Sequence, residues 1–308
     1  AFIAAPAADA HGNCNGYSGP SACGVMSYAL ADSLYADKVV VLTDNLVPFP
    51  NHPWIIRGGN VDHVCRVESL GDPEKIVSGT TRITRSPTRQ LISEYAARLV
   101  SDMGLVDEPD FSFQAGAGGI SLAFIKYMGD ILREKGRKAA FARGGSNRFL
   151  VDLLEEGLVG YILDGQCFDQ VGIRSLAENP LHVETDPFTS YCYHVKGNFA
   201  TRVKAAVLGA TEIDLDFNVN VNTHSDGWLL HGIGGYTDVC DAWCTIVTAP
   251  LLRGRLSTVV DSVTTVTAPG ETVDVLVTER GVAVNPARKD IVERLKGSAL
   301  PLVGIEEL

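Results

Sequence analysis

Twice in the middle of the chain a short apolar run breaks on glycines and passes at once into an amphipathic stretch. Phe111–Phe113 runs into Gly116-Ala-Gly-Gly119 and a helical pattern from about Ile120 to Lys135; Lys138–Phe141 runs into Gly144-Gly145 and a helical pattern over Asn147–Glu156. Leu158–Leu163 follows as an apolar run of the kind buried on both faces. A strand, a crossover helix and a second strand make a parallel pair, so this succession predicts an α/β fold with mixed or largely parallel sheets. Upstream, Phe2–Ala5, Val39–Thr43 and Val61–Val67 read as strands, with a helix over Ser27–Ala36. The stretch from Val47 to Pro53 carries too many prolines for either ladder and must be loop. Ser78–Thr88 is polar, with Gly79 and Pro87, and divides the chain into domains 1–80 and 81–308. Beyond it, Thr88–Ser101 places Leu91, Ile92, Tyr95 and Leu99 on one helical stripe. The last hundred residues are strand-rich (Thr245–Val247, Thr258–Val260, Val273–Val277, Val282–Val284) and close with a helix over Arg288–Lys296.

The charge balance excludes one class of partner. With 26 basic and 37 acidic residues the 308-residue chain carries a net charge of −11, and its cations do not cluster. Phosphate-backbone binding needs many grouped cations, so a nucleic-acid partner is not expected. A hydrophobic content of 45% against 20% charged residues supports a packed core. No apolar run approaches the roughly 20 residues that span a bilayer, so no membrane partner is expected either. The opening Ala-Phe-Ile-Ala-Ala lacks a basic n-region and an initiating Met; it reads as a strand entered midway rather than a signal peptide. The seven cysteines form no C-x-x-C pair, and Cys240 and Cys244 have no histidine at zinc-finger spacing. Reduced thiols in a cytoplasmic protein without a metal site are the expectation.

The glycine clusters carry the functional signal. At Gly116-Ala-Gly-Gly119, backbone N–H groups at a helix start suit a phosphate, a carboxylate or an oxyanion. A tight strand-to-helix turn without a ligand fits equally well. The cluster matches neither G-x-x-x-x-G-K-[ST] nor G-x-G-x-x-G, because position 121 is Ser. Thr211–Asn222 alternates without a break, apolar at odd positions and polar at even ones, so it reads as one strand or two. Its amides Asn218, Asn220 and Asn222 lead to Gly232-Ile-Gly-Gly235, with His224, Ser225, His231 and Asp238 nearby. Together these could form a polar pocket, or a solvated strand face and a turn. Ser225 and Asp226 are adjacent on the chain and point apart, which argues against a hydrolase triad with His224 or His231. Cys167 has no cation beside it in sequence and reads as a structural thiol. Arg253-Gly-Arg255 supplies two guanidiniums for a carboxylate or phosphate, or for the surface.

Longer motifs resemble a family. Asn218-Val-Asn-Val-Asn222, Thr245-Ile-Val-Thr-Ala-Pro-Leu-Leu-Arg-Gly-Arg255, Val263-Thr-Thr-Val-Thr-Ala-Pro-Gly270 and Val277-Thr-Glu-Arg-Gly-Val-Ala-Val-Asn-Pro286 resemble the α subunits of citrate lyase. Lys38–Pro48, Ser112–Gly119 and Gln166–Asp169 fit the same subunits. The resemblance implies a coenzyme A transferase-like fold with the active site between two similar domains. Members begin well before this chain does, so residues 1–80 are expected to be the tail of a first domain in an N-terminally truncated chain. The implied activity replaces acetyl by citrate on an acyl carrier protein, giving citryl-carrier protein and acetate, before a sister β subunit cleaves the citryl thioester. The thiol would belong to a prosthetic group derived from dephospho-coenzyme A on that γ subunit, with no cofactor bound covalently to this chain. A cytoplasmic complex and a homo-oligomer are implied as well.

Covalent coenzyme A transferases carry a Glu nucleophile in a Glu-Met-Phe type motif, and alignment on the Phe places Gln166-Cys167-Phe168 there. A neutral amide cannot form an acyl anhydride. The expected mechanism is therefore direct attack by a citrate carboxylate on the acetyl thioester in a ternary complex, with the protein positioning the partners. Backbone N–H groups at Gly118, Gly119, Gly234 and Gly235 are the expected oxyanion donors, and Asn220, Asn222 and Arg253 the expected substrate contacts. One departure bears on the substrate. Relatives carry Gly-Gly-His at the second glycine turn and an Ala-Gly-Ala soon after, where this chain has Gly234-Gly-Tyr236 and Cys240-Asp-Ala-Trp-Cys244. Trp243, expected near the site, makes citramalate a competing substrate. The same residues also admit a free-coenzyme A transferase for another short acid, or a non-catalytic scaffold subunit.

Overall fold

The computed structural model describes residues 1–76, 82–116, 118–192, 194 and 196–308. The N-terminal part holds β1 (Phe2–Ala4), β2 (Ala7–Asp9), β3 (Cys14–Asn15), helix α1 (Ser27–Tyr35), β4 (Val40–Thr43), β5 (Leu46–Val47) and β6 (His63–Arg66). These strands make two small sheets, parallel β1-β4-β6 and mixed β3-β2-β5. The boundary expected at 80/81 falls within 77–81, outside the described residues.

Next come α2 (Pro87–Asp102), β7 (Ser112–Ala115), α3 (Gly119–Lys135), β8 (Phe141–Ser146), α4 (Arg148–Glu155) and β9 (Ile162–Cys167). They are followed by α5 (Gln170–Glu178), β10 (His182–Glu184), α6 (Pro187–Tyr191), β11 (Ala205–Gly209), β12 (Glu212–Asp214) and β13 (Val219–Asn220). The chain finishes with α7 (Tyr236–Val239), β14 (Cys244–Thr248), β15 (Leu252–Arg253), β16 (Leu256–Ser257), β17 (Val259–Val260), β18 (Val275–Val277), β19 (Val282–Val284) and α8 (Lys289–Arg294). Eight strands join one sheet in the order β10-β9-β8-β7-β11-β14-β18-β19, parallel except for the last pair.

Alternate residues of these strands enter different cores, the mark of a sheet covered on both faces. On β11, Ala205 and Val207 pack with α2 and α3 residues such as Ile92, Leu99 and Phe124, while Ala206 and Leu208 pack with Ile213 and Val219. A smaller apolar seam ties the N-terminal part to the sheet: Tyr17, Ala22 and Val25 meet Cys167, Ile173 and Leu176. At that seam the Met26 N–H also donates to Glu184 Oε1 at 2.6 Å.

Topology positions the site. From β7 the sheet grows outward through β8, β9 and β10, and the chain then returns to lay β11 on the other edge of β7. Where strand order reverses, the connections leave in opposite directions and open a crevice at the carboxyl ends.

Three local expectations needed correction. β8 begins at Phe141 and runs straight through Gly144-Gly145, with a register shift between them, instead of ending in a glycine turn. β9 likewise starts at Ile162, four residues later than expected. The alternating stretch 211–222 folds back on itself as β12 and β13, pairing Glu212 with Asn220 and Ile213 with Val219. The Asp214 carboxylate closes that turn, accepting from the N–H groups of Asp216 and Asn218 and from Asn218 Nδ2.

Candidate active site

A pocket of about 270 Å³ opens at the crevice. Its floor is made by the carboxyl ends of three neighbouring strands: Gln114 and Ala115 of β7 with Gly116 after it, Gly144-Gly145 in β8, and Gly165-Gln166 in β9. Tyr28 of α1, Tyr191 of α6 and the segment Ile233–Tyr236 form its walls. A wider cavity of about 490 Å³, lined by Phe188, Thr237, Asp238 and Asp241, shares Tyr28, Tyr191 and Gly234 with it. Two glycines are dictated by aromatic rings. A Cβ on Gly145 would lie 2.0 Å from Cε2 of Phe168, and one on Gly235 would lie 2.6 Å from Cζ of Tyr191.

Beneath the floor, a buried carboxylate holds the strand ends in register. Asp164, fully buried, accepts from Ser146 N (3.1 Å), Ser146 Oγ (2.6 Å), Gln166 N (3.0 Å) and Cys167 Sγ (3.2 Å). His182 Nε2 stands 3.0 Å from the same carboxylate, and its Nδ1 lies 2.9 Å from Ser175 Oγ. Sequestered below the pocket, this Ser-His-Asp chain is a structural brace. Burial, followed by the Asp164 charge, pushes the Cys167 thiol well above its ordinary range, which leaves it a poor nucleophile, as expected.

Arg143 of β8 is the feature that sequence reading missed. Its side chain is buried, Nη1 donates to Gln114 Oε1 at 2.8 Å, and the guanidinium lies over the Tyr191 ring, 4.5 Å from the centroid. Burial raises both Tyr28 and Asp238 above their ordinary values, and the Arg143 charge opposes each rise. A lone cation one residue before Gly144-Gly145 in an apolar strand was the available signal.

The structure brings together Gln166, Gly234 and Gly235 of the expected site residues. Gly116, rather than Gly118 and Gly119, reaches the pocket. Gly119 already belongs to α3 and packs on 82–84, where its carbonyl accepts from Thr84 N at 3.2 Å. Asn220 is wholly buried, its amide bonded to Glu212 Oε2 and the Thr223 backbone, while Asn222 Oδ1 accepts from Thr267 Oγ1. The even-numbered face of 211–222 is thus internal wiring and not a pocket wall. Ser225 bonds Glu212, and His231 is exposed, so neither joins Asp238 in a common pocket. Arg253 lies on the β15–β16 hairpin outside the pocket lining. Trp243 precedes β14, at the opposite end of the sheet, under the guanidiniums of Arg288 (4.9 Å) and Arg294 (4.7 Å). It therefore cannot shape the pocket, which removes the ground on which Trp243 made citramalate a competing substrate.

A switch-point pocket on a mostly parallel sheet defines an open α/β protein, here with a coenzyme A transferase-like fold. Malonate decarboxylase α subunit from Acinetobacter baumannii shares this fold, with a TM-score of 0.65 at 16% identity over 96% of this chain and 61% of that one. The family model for citrate lyase, alpha subunit (CitF), matches residues 1–308, and the chain belongs to that family. It is 45% identical to the citrate lyase alpha chain of Klebsiella pneumoniae and 43% identical to that of Escherichia coli K12. Those alignments take in 100% of this chain but only 61% and 60% of the relatives, so it spans about three fifths of their length. The crystal structure of a citrate lyase α subunit from Streptococcus mutans in complex with citrate superposes with a TM-score of 0.94, at 44% identity, covering 99% of this chain and 60% of that one. No helix among the described residues is long and apolar enough to cross a membrane.

Proposed function

We propose that the pocket at the ends of β7, β8 and β9 exchanges acetyl for citrate on a carrier-protein thioester, as the α subunit of citrate lyase. The observation that carries this reading is Gln166: in a chain of this family, an amide lines the pocket where the covalent transferases place a carboxylate. In the first step a citrate carboxylate oxygen attacks the acetyl carbonyl, forming a mixed anhydride and releasing the carrier thiolate. The thiolate then attacks the citryl carbonyl, and acetate leaves. Each step gathers charge on a carbonyl oxygen, for which the backbone N–H groups of Gly234 and Gly235 in the pocket lining are the candidate donors, the Gly116 N–H being given to the Val207 carbonyl at 3.2 Å. Gly118 and Gly119, the donors expected from sequence, lie outside the pocket lining and are less favoured. The wider cavity past Tyr28 and Tyr191 suits the pantetheine arm of the carrier's prosthetic group. In this reading the pocket lies between domains 1–80 and 81–308, and γ carrier and β lyase subunits complete a cytoplasmic complex.

The test is citrate-dependent acetate release from acetyl-carrier protein, with acetyl-coenzyme A as competing donor and citramalate as competing acid. Gln166→Ala is expected to keep substantial activity. Its complete loss in a folded variant, or a hydroxylamine-trapped γ-glutamyl adduct on this chain, overturns the ternary route. Faster turnover with acetyl-coenzyme A or with citramalate overturns the choice of substrate.

A further inference from the structure

A guanidinium shut away from water normally meets a carboxylate, because an uncompensated buried charge is strongly disfavoured. Arg143 does not. It is only 1% exposed and, among the described residues, its one hydrogen-bond acceptor is the neutral Gln114 amide, while Nε and Nη2 have no partner. Among the described residues no acid comes within ion-pair distance of it, whereas Arg133, Arg137, Arg288 and Arg294 each hold one. Nε and Nη2 are neighbours on one edge of the guanidinium, the edge whose two parallel N–H groups match the two oxygens of a carboxylate. Gln114 occupies the other side and fixes the plane. Gln114, Gly144 and Tyr191, the bonded amide, the next residue and the stacked ring, all line the pocket.

We infer that Arg143 is the receptor for a non-reacting carboxylate of a polycarboxylic acid substrate, gripped side-on through Nε and Nη2. The inference rests on the reading of this pocket as an acyl-exchange site and adds its specificity. A di- or tricarboxylate keeps one carboxylate for attack on the thioester and presents another to Arg143, whereas a monocarboxylate such as acetate has none to spare. Product acetate therefore leaves a site that retains citrate. Tyr191 lies over the guanidinium, a contact that an in-plane, bidentate, charge-assisted pair at the Nε–Nη2 edge does not compete with.

The experiment compares wild type, Arg143→Gln and Arg143→Lys in the full-length protein with its carrier and lyase subunits. Steady-state kinetics are measured in citrate and in acetyl-carrier protein, and citrate is titrated calorimetrically and in thermal melts. Loss of two charge-assisted bonds is expected to raise the KM and Kd for citrate roughly 100-fold or more in Arg143→Gln, with a partial return in Arg143→Lys. The KM for acetyl-carrier protein should stay within about threefold. Without citrate the melting temperature of Arg143→Gln should hold or rise, since an unpaired buried charge has been removed, and the citrate-induced rise should vanish. Citrate affinity within threefold of wild type in folded Arg143→Gln overturns the inference, as does an equal change in both KM values. Should Arg143→Gln fail to fold, unchanged citrate affinity in Arg143→Lys overturns it on its own. If wild type releases no acetate with citrate, yet another di- or tricarboxylate raises its melting temperature only when Arg143 is present, the citrate reading fails and the receptor stands.

Discussion

Gly145→Ala tests the most tightly built contact of the pocket. The added Cβ would sit 2.0, 2.2 and 2.8 Å from Cε2, Cζ and Cδ2 of Phe168, against about 3.5–4.0 Å for carbons in ordinary contact. The ring must therefore move by about 1.5 Å. Gly145 has no positive φ, so the contact is the whole cost of the substitution. Overpacking of this kind costs about 1–3 kcal/mol, or roughly 2–10 °C in melting temperature for a domain of this size. Phe168 follows Gln166 by two residues and Gln166 pairs with Gly145 across the β8–β9 ladder, so a shift of the ring disturbs the pocket floor. Misplacement by about 1 Å at a reacting centre costs up to about 100-fold in turnover. Urea and thermal unfolding of wild type, Gly145→Ala, Phe168→Ala and the double variant form a cycle with an expected coupling of about 1–3 kcal/mol. In the Phe168→Ala background the added methyl has nothing to strike, and Gly145→Ala should cost under about 0.5 kcal/mol there. An equal cost in both backgrounds, or none in either, refutes the steric account.

Asp164→Asn puts an NH₂ among converging donors and leaves one acceptor where Ser146, Gln166, Cys167 and His182 meet; a loss of about 2–4 kcal/mol in urea unfolding is expected, with slower transfer as the Gly165-Gln166 segment loosens. Glu184, held up to about 7 by burial and by the Asp164 and Asp186 charges, and only partly offset by Met26 N–H, binds its proton more tightly folded than unfolded. Its stabilising protonation is present at acid pH and lost as pH rises from about 4.5 through 7. Urea midpoints should therefore fall over that interval in wild type and fall less in Glu184→Gln, a difference of about 3 kcal/mol at pH 8. Arg288→Ala removes the partner of the mostly buried Asp274, whose carboxyl burial already raises. A loss of about 3 kcal/mol is expected, with a red shift of Trp243 emission as its cationic cover goes.

The strand-to-helix succession was legible because periodicity is local: β7 leads into α3 and β8 into α4 as the apolar spacing requires, although β8 lies later than expected and α5 after β9 carried no sequence reading. The structure adds the caps, with Asn147 accepting from Leu150 N and Asp169 from Gly172 N at the starts of α4 and α5. What failed was the step from pattern to side. Alternation in 211–222 correctly indicated strand, but period two does not say which face meets solvent, and here the sheet of β12, β13 and β17 buries Glu212, Asp214 and Asn220 as well. Trp243 sits beside a strand of the site sheet, but at its amino end, and strand direction in a fold is not a local property. Arg143, Tyr28 and Tyr191 come from three distant segments and meet only once α1 and α6 cross the end of the sheet.

In the proposed reading, a chain of net charge −11 that takes a polyanion must work against its own field. Surface cations are a poor answer, because their charge is screened by salt and much of it is already answered by neighbouring acids: Arg133 by Asp130 and Glu156, Arg288 by Asp274 and Asp290. A single unpaired guanidinium in a dry wall acts over a few ångströms with little screening, so its pull is felt only by an anion already inside the pocket. The remaining polar floor is consistent with that arrangement. Gln114 and Gln166 are neutral, and the Asp164 carboxylate has its oxygens engaged by Ser146, Gln166, Cys167 and His182. A glutamate at position 166 would set a second negative charge beside the substrate carboxylates and compete for the cation. On the proposed reading, an amide there leaves Arg143 without a competing charge at position 166, so that a route without a protein nucleophile and a buried, unpaired cation would belong to the same design.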